Sequence, residues 1–283
     1  MSGPAPQGGL GIGAIRDLAT RFSVRPSKSL GQNFLTDPNL ARAIASDAGI
    51  GPGDHVVEVG AGFGSLTLAL AASGADVTAV EFDRLLIPAL QEVTATLPNV
   101  SVVQGDAMKL DWRELTGASE WTLCANLPYN IATPLVLDLL AGVPFIGRFV
   151  VMVQREAGER LVAQAGEERY GAVSVRVRYA AHASLIRSVP APVFWPRPTV
   201  ESVVVRLDRL AAPAVDVDRA ALWRVIDVSF AERRKTMRNA LRRMGLDLAA
   251  ADRVLAESGV GPSQRPEELP LEAFARIADR VPA

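Results

Sequence analysis

Asn126, Leu127, Pro128 and Tyr129 stand side by side in CANLPYN at 124–130, where an apolar, strand-like run ends. An amide oxygen and a carbonyl held out by a rigid Leu-Pro bond are two acceptors of fixed direction, and a tyrosine ring is a flat surface. The trio suits the exocyclic amino group of an adenine. That nitrogen is a poor nucleophile because its lone pair is delocalised into the ring, and two acceptors on its hydrogens favour the pyramidal form that attacks. Tyr129 can stack on the base, since a flipped or unpaired base needs a π-face and a dry pocket. A strand-to-helix turn capped by Asn126 and stiffened by Pro128 would use the same residues, so the rest of the chain has to decide.

A second group bears on the choice. VVEVGAGFGSLTLAL at 56–70 places Gly60, Gly62 and Gly64 between a buried strand and a helix, where the backbone can bend sharply and approach a ligand at the helix N-terminus. Glu81 ends the next strand in TAVEFD, the position at which a carboxylate accepts both hydroxyls of a ribose. Asp106 closes the third strand in VVQGDAM, within reach of an adenine amino group at the same sheet edge. Glycines also serve plain tight turns, and acids at strand ends also cap helices. Dehydrogenases share the glycine and Glu81 arrangement, but hydride transfer has no need of an amide, proline and tyrosine at the fourth strand end. The aligned strand ends favour an adenosine-containing cofactor. GGLGIG at 8–13 is glycine-rich too, but no strand precedes it and it is assigned no ligand.

Composition narrows the classes. The chain has 283 residues, 49% of them hydrophobic, enough for one large domain and a smaller one at roughly 100 to 200 residues per domain. A single cysteine, Cys124, excludes a disulfide framework within the chain, and with only His55 and His182 no metal site is expected. Cys124 reads as strand packing rather than as a nucleophile. No apolar run approaches the roughly 18 residues that span a bilayer, and MSGPAPQGG does not resemble a signal peptide, so a cytoplasmic protein without membrane contact is expected. The net charge of −1 hides an uneven distribution: five arginines and no acid over 169–200, and seven cations against Asp227 and Glu232 over 224–243. Two basic patches on an otherwise acidic body can hold a polyanion, or can be solvated faces.

The elements that would position these groups alternate. HVVEVGA, ADVTAVEF, VSVVQGD, EWTLCANL and RFVVMVQ read as strands, and SLTLALAAS, RLLIPALQEVTATL and ATPLVLDLL between them read as helices. Alternation predicts an α/β fold, a mostly parallel Rossmann-like sheet with helices on both faces. AVSVRVRYA and SVVVRLD are further strand candidates flanking the proline-rich VPAPVFWPRPTVES. Beyond residue 210 the pattern is helical, around 218–244, 248–258 and 270–281. The predicted organisation is a partly disordered extension at 1–27, a catalytic domain at 28–209 and a small all-helical C-terminal domain at 210–283.

With these motifs in view, the chain resembles the S-adenosylmethionine-dependent ribosomal RNA adenine N6,N6-dimethyltransferases from about Arg25 to its end. KSLGQNFLTD, VEVGAGFGSLT, NLPYN, QREAGERLVAQAGEERYGAVSV, FWPRPTVES and SFAERRKTMRN all look like family blocks. One departure is Ala61, where many members have proline; the loop glycines stay intact. The resemblance implies a Rossmann-like methyltransferase sheet with S-adenosyl-L-methionine as cofactor. It implies that Asn33 and Leu35 line the methionine end with Gln32 close by, that Gly60, Gly62, Glu81, Asp106 and Asn126 bind the cofactor, and that Asn126, Leu127, Pro128 and Tyr129 act on the target base. Phe194 would close on the adenine from the face opposite Tyr129.

The implied reaction is dimethylation of N6 on two adjacent adenosines in the 3′-terminal hairpin of small-subunit (16S) ribosomal RNA, late in subunit assembly. A large-subunit enzyme of the antibiotic-resistance type and a factor acting chiefly in ribosome assembly stay open. RNA binding would fall to Arg233, Arg234, Lys235, Arg238, Arg242 and Arg243, on a helix whose Phe230, Met237, Leu241 and Met244 face inward. The small ribosomal subunit is the expected partner and the chain is expected to be a monomer.

Overall fold

Valine-rich runs bounded by Gly, Asp and Asn pair into a sheet, and their order determines where a ligand can sit. A computed structural model describes residues 9–117, 119–232 and 234–282. In chain order the elements are α1 (Ile12–Arg21), β1 (Phe34–Leu35), α2 (Pro38–Ala48), β2 (His55–Val59), α3 (Ser65–Ala71), β3 (Asp76–Glu81), α4 (Ile87–Thr94), β4 (Val100–Gln104), α5 (Trp112–Thr116), β5 (Trp121–Asn126) and α6 (Ala132–Gly142). They continue with β6 (Ile146–Gln154), α7 (Arg155–Val162), α8 (Ala172–Ala180), β7 (Ala181–Val189), β8 (Phe194–Trp195), β9 (Ser202–Arg209), α9 (Arg219–Ala231), α10 (Met237–Arg243), α11 (Leu248–Glu257) and α12 (Leu271–Ala278).

Seven strands share one sheet in the order β4-β3-β2-β5-β6-β9-β7, and β1 pairs with β8 in a separate two-stranded ribbon. The pairs β2/β3, β3/β4, β2/β5 and β5/β6 are parallel, and β9 runs antiparallel to β6. After β2 the chain moves to one side of the sheet, and after β5 to the other. At such a reversal the loops leaving the two carboxyl ends part and open a crevice. The five predicted α/β strands and the mostly parallel sheet are thus present, with helices between them.

The chain forms two compact units. One comprises the residues up to Gly158 with Ser184–Arg209; the other comprises Glu159–Ala183 and the chain from Leu210 onward. The sequence-based boundary left 159–183 with the sheet because AVSVRVRYA alternates like a strand. That segment is instead α8, started by a Gly171 N–H donating to Ser174 Oγ and held as Ser174 Oγ donates to the Arg160 carbonyl at 2.6 Å. Val175 and Val177 are buried, Arg176 makes two bonds to Asp227, and Tyr179 meets Trp223 edge-on at 4.9 Å. Tertiary packing overrides the period-2 pattern, and the strand is the following segment, β7.

Two further expectations change. Residues 1–8 of the predicted extension lie outside the described residues, but Leu10 is buried, and Ile15, Leu18 and Ala19 of α1 pack with Phe63, Leu86 and Val93. The predicted helix at 218–244 breaks after Ala231. The Met237 N–H bonds the Gln264 carbonyl at 2.8 Å instead of a helical partner, which starts α10 afresh. Met237 and Leu241 are buried, with Phe230 and Met244 packed against the same core as Phe274 and Ile226. Among the described residues, no helix is long and apolar enough to cross a membrane.

The first turn of α7 packs on the sheet at Gly158. A Cβ on Gly158 would overlap Val203 Cγ2 and come within 3.1 Å of Val205 Cγ2. An alanine in a helix ordinarily gains up to about 1 kcal/mol over glycine, but the clash forces the Val203 side chain or the helix to shift. Gly158→Ala is therefore expected to destabilise the protein by about 1 to 3 kcal/mol in urea unfolding; a gain in stability would show that α7 has room to shift.

Candidate functional site

The reversal in strand order brings the glycine loop after β2 against the NLPYN loop after β5. Gly60, Gly62 and Gly64 have φ of +75°, +60° and +91°, and each is closely covered. A Cβ on Gly60 would lie 3.1 Å from Pro128 Cδ, and one on Gly62 would lie 2.9 Å from Phe34 Cδ1. The spacing seen in the sequence thus meets two needs at once, a left-handed backbone and close contact with two neighbouring segments. A cavity of about 330 Å³ opens beside these loops, and every residue lining it belongs to the first unit.

Glu81 joins the glycine loop to the end of β3. Its Oε2 accepts from the Gly62 N–H and its Oε1 from the Asp83 N–H, both at 2.8 Å, and it is 5% exposed. Burial raises its pKa, opposed by the bonds from Asp83 and Gly62. Each oxygen keeps a second lone pair for a donor in the cavity. Asp106 lines the cavity at the end of β4, where its Oδ1 accepts from the Met108 N–H at 3.0 Å.

Asn126 is half-buried and donates from Nδ2 to the Asn33 carbonyl at 3.0 Å. That bond assigns the amide, so Oδ1 is its open acceptor. Leu127 is buried and its N–H bonds the Met152 carbonyl. Both residues line the cavity, and among the described residues neither the Asn126 Oδ1 nor the Leu127 carbonyl accepts a hydrogen bond. Tyr129 lines it as well, its hydroxyl 3.0 Å from Ser202 Oγ, and burial raises the phenol pKa.

The structure brings Gln32, Asn33, Leu35, Gly60, Gly62, Glu81, Asp106, Asn126, Leu127, Pro128 and Tyr129 to one cavity. It does not bring Phe194 there. Phe194 is 2% exposed, pairs with Leu35 in the β1/β8 ribbon and packs with Ile44 and Val189, so here it is a core residue. Cys124 is fully buried and its pKa is well above the ordinary value through burial, which keeps it a thiol and fits strand packing. Among the described residues, no group of three or more His, Cys, Asp and Glu could hold a metal ion.

Reading the sequence missed three features. Glu58 lines the cavity from inside β2 at 2% exposure, with Thr67 Oγ1 donating to it at 2.5 Å. An acid amid the valines of VVEVG, in a strand covered on both faces, was the available signal. Phe82 and Met108 line the mouth and remain 58% and 37% exposed, large apolar side chains that a flat ligand could cover. Ser202, in FWPRPTVES, anchors Tyr129.

The expected basic surface is also revised. Arg233 lies outside the described residues. Arg238 is taken up by Asp252 through bonds of 2.6 and 3.1 Å, and Arg243 lies 3.3 Å from Glu232. Arg234, Lys235 and Arg242 are exposed and have no ion-pair partner among the described residues. Lys235, Asn239, Arg242 and Arg243 line a groove of about 570 Å³ in the second unit. In the other basic stretch, Arg169, Arg176 and Arg187 pair with Glu159, Asp227 and Asp47, so much of that charge is internal pairing.

Burial dominates Glu58, raising its pKa from 4.5 to about 8, with Glu81 adding to the rise and Thr67 opposing it. A carboxyl raised on folding gives its full contribution to stability below its unfolded value and loses it as pH climbs toward the folded one. Stability should fall between about pH 4.5 and 8 on this account. Glu58→Gln removes the ionisation, and unfolding at pH 5 and pH 8 should show the variant gaining on the wild type by on the order of 3 kcal/mol over that interval. Parallel profiles would contradict it.

Comparison with known proteins follows the same outline. Residues 24–282 match the family described as ribosomal RNA adenine dimethylase. Ribosomal RNA small subunit methyltransferase A of Streptomyces avermitilis is 44% identical over 99% of this chain and 96% of its own length. Its namesake in Kineococcus radiotolerans is 46% identical over 95% and 90%. Among solved structures, a dimethyladenosine transferase from Plasmodium falciparum has a TM-score of 0.75 at 23% identity, covering 86% of this chain and 95% of its own. The 23S rRNA methyltransferase ErmE has a TM-score of 0.69 at 25% identity, covering 88% and 99%. The match begins just before the GQNFL segment and runs through the last helix, taking in both units; the chain belongs to the ribosomal RNA adenine dimethylase family of S-adenosylmethionine-dependent methyltransferases.

Proposed function

We propose that this protein dimethylates N6 of two adjacent adenosines in the 3′-terminal hairpin of small-subunit ribosomal RNA, acting as a monomer in the cytoplasm and late in subunit assembly. The observation that carries the reading is the Asn126 amide, fixed by the Asn33 carbonyl so that its oxygen and the Leu127 carbonyl are left as acceptors beside the cavity. Curated relatives at 44 and 46% identity over nearly the full chain carry the small-subunit name, which supports that substrate over the large subunit.

The residues present fit S-adenosylmethionine. Glu81 has lone pairs for two ribose hydroxyls, Asp106 an acceptor for the adenine amino group, and Phe82 and Met108 apolar surface for its ring. Asn33 and Leu35 line the methionine end, where the Glu58 carboxyl suits a cationic group. When bound, the cofactor supplies an activated methyl group for transfer to a nucleophile. Asn126 and Leu127 orient the attacking amine by accepting its two hydrogens, and Tyr129, anchored by Ser202, offers a face to the base. No strong general base is needed, because the amine becomes acidic as it is alkylated. In the second unit, Lys235 and Arg242 meet RNA phosphates through the groove they line.

The test is transfer of labelled methyl from S-adenosylmethionine to small subunits lacking adenine methylation, with large subunits in parallel and the product nucleoside identified. Dimethyladenosine on the small subunit alone is expected, and Asn126→Ala should slow single-turnover transfer by about 2 to 4 kcal/mol in barrier with RNA affinity retained. Label on the large subunit would move the substrate assignment, and tight subunit binding without transfer would favour an assembly role alone. Separately, Lys235→Ala with Arg242→Ala should lower the salt dependence of RNA binding by about two units of log–log slope. An unchanged slope would make the groove a solvated face.

A further inference from the structure

The segment 27–35 crosses the crevice and is fastened on both banks. On the β5 side, the Asn33 carbonyl receives Asn126, and a Cβ on Gly31 (φ +65°) would come within 3.1 Å of the Tyr129 nitrogen. On the β3 side the only side chain of the segment bonded to that bank, among the described residues, is Gln32. Its Nε2 donates to Asp83 Oδ2 at 2.9 Å, and its Oε1 accepts from the Ser27 N–H at 2.8 Å. Both ends of the amide are engaged within the protein. Asp83 in turn donates its own N–H to Glu81 Oε1 and accepts the Leu85 N–H on Oδ1. A single chain of hydrogen bonds thus runs from Ser27 through Gln32 and Asp83 to Glu81, and from Glu81 to the Gly62 N–H.

We propose that Gln32 is a positioning residue, a latch that ties the 27–35 segment to Asp83 and so holds closed the side of the cavity where Glu81 presents its carboxylate. The proposal rests on the reading of this cavity as the cofactor site. The latch explains why a glutamine suits the position: one side chain must donate to a carboxylate and accept from a backbone N–H, which neither an ionised carboxylate nor a cation can do. Cofactor entry and exit then require the amide to leave Asp83, while the acceptors around the amine, Asn126 and Leu127, are untouched by it. Gln32 acts on affinity and exchange rather than on the chemical step.

Gln32→Glu turns this into a pH test. The groups beside position 32 are Asp83, with Glu81 bonded to the Asp83 N–H; Lys28 and Arg84 flank the two partners in the chain and form no ion pair among the described residues. Ionised, the new carboxylate repels Asp83 and the latch opens; protonated, it can donate to Asp83 and the latch re-forms.

Backbone hydrogen exchange of residues 27–35 would be measured on the ligand-free wild type, Gln32→Ala and Gln32→Glu at pH 5.5 and 8. Binding and release of S-adenosylhomocysteine would be followed at the same pH values. Gln32→Ala is expected to raise exchange in the segment and weaken the ligand about five-fold, the worth of a modest hydrogen bond, through faster release. Gln32→Glu should match the alanine variant at pH 8 and recover toward wild type at pH 5.5, each compared with wild type at the same pH.

Unchanged exchange in Gln32→Ala, or weaker binding with no change in exchange, would overturn the latch, the latter by making Gln32 a direct ligand contact. No recovery of Gln32→Glu at low pH would overturn it as well. Failure of the unmodified protein to bind S-adenosylhomocysteine would overturn the cofactor reading alone, and the exchange rates of the ligand-free variants would still decide the latch.

Discussion

A buried carboxylate with two backbone N–H donors organises the first unit. Glu81 sits at the end of β3 with Gly62 on one oxygen and Asp83 on the other. Removing such a group from water is costly, and the two bonds offset part of that cost without a counter-charge. The geometry follows from this: the glycine loop is held against the end of β3, and Asp83 is turned so that it can take the Gln32 amide. Gly62 cannot carry a side chain because Phe34 covers it, and Phe34 in turn meets Phe63 edge-on at 4.6 Å. The loop after β2, the loop after β3 and the segment before α2 are thus one cross-braced wall.

The opposite wall is the NLPYN loop, and its fixed points come from distant parts of the chain. Asn126 is set by the Asn33 carbonyl, Leu127 by the Met152 carbonyl and Tyr129 by Ser202. A methyl transfer to a weakly nucleophilic amine depends on placing acceptors more than on supplying a strong base, so rigidity of these three residues is what the fold has to provide. Glu58 adds a different property. Its carboxyl lies at the cavity, where among the described residues only Thr67 donates to it, and burial pushes its pKa up to about 8.

The sheet and most of the site were legible in the sequence because both depend on local signals: strand runs, left-handed glycines, and acids or amides at strand ends. AVSVRVRYA was misread because its alternation is local, whereas the contacts with Asp227, Trp223 and Arg160 that make it a helix are not. Charge counting could not separate Arg238, neutralised by Asp252, from Arg242, which lines an open groove, because partners remote in sequence make the difference. Phe194 shows the same limit: its proline-rich setting is visible in the sequence, but its burial against Leu35 and Ile44 depends on a ribbon between β1 and β8. Glu58 could have been found, since an acid inside a doubly covered strand is an anomaly that invites a reason.

The central claim is that Glu81 and the Asn33–Asn126 pair frame a single adenosine-type cofactor between the two walls. The measurement that tests it most directly is a crystal structure of the protein with S-adenosylhomocysteine bound. The account predicts the ribose hydroxyls on the Glu81 carboxylate, the adenine between Phe82 and Met108, and the Asn126 amide still donating to the Asn33 carbonyl. A ligand lodged elsewhere, or one that leaves Glu81 without a contact and frees Asn126 from Asn33, would contradict it.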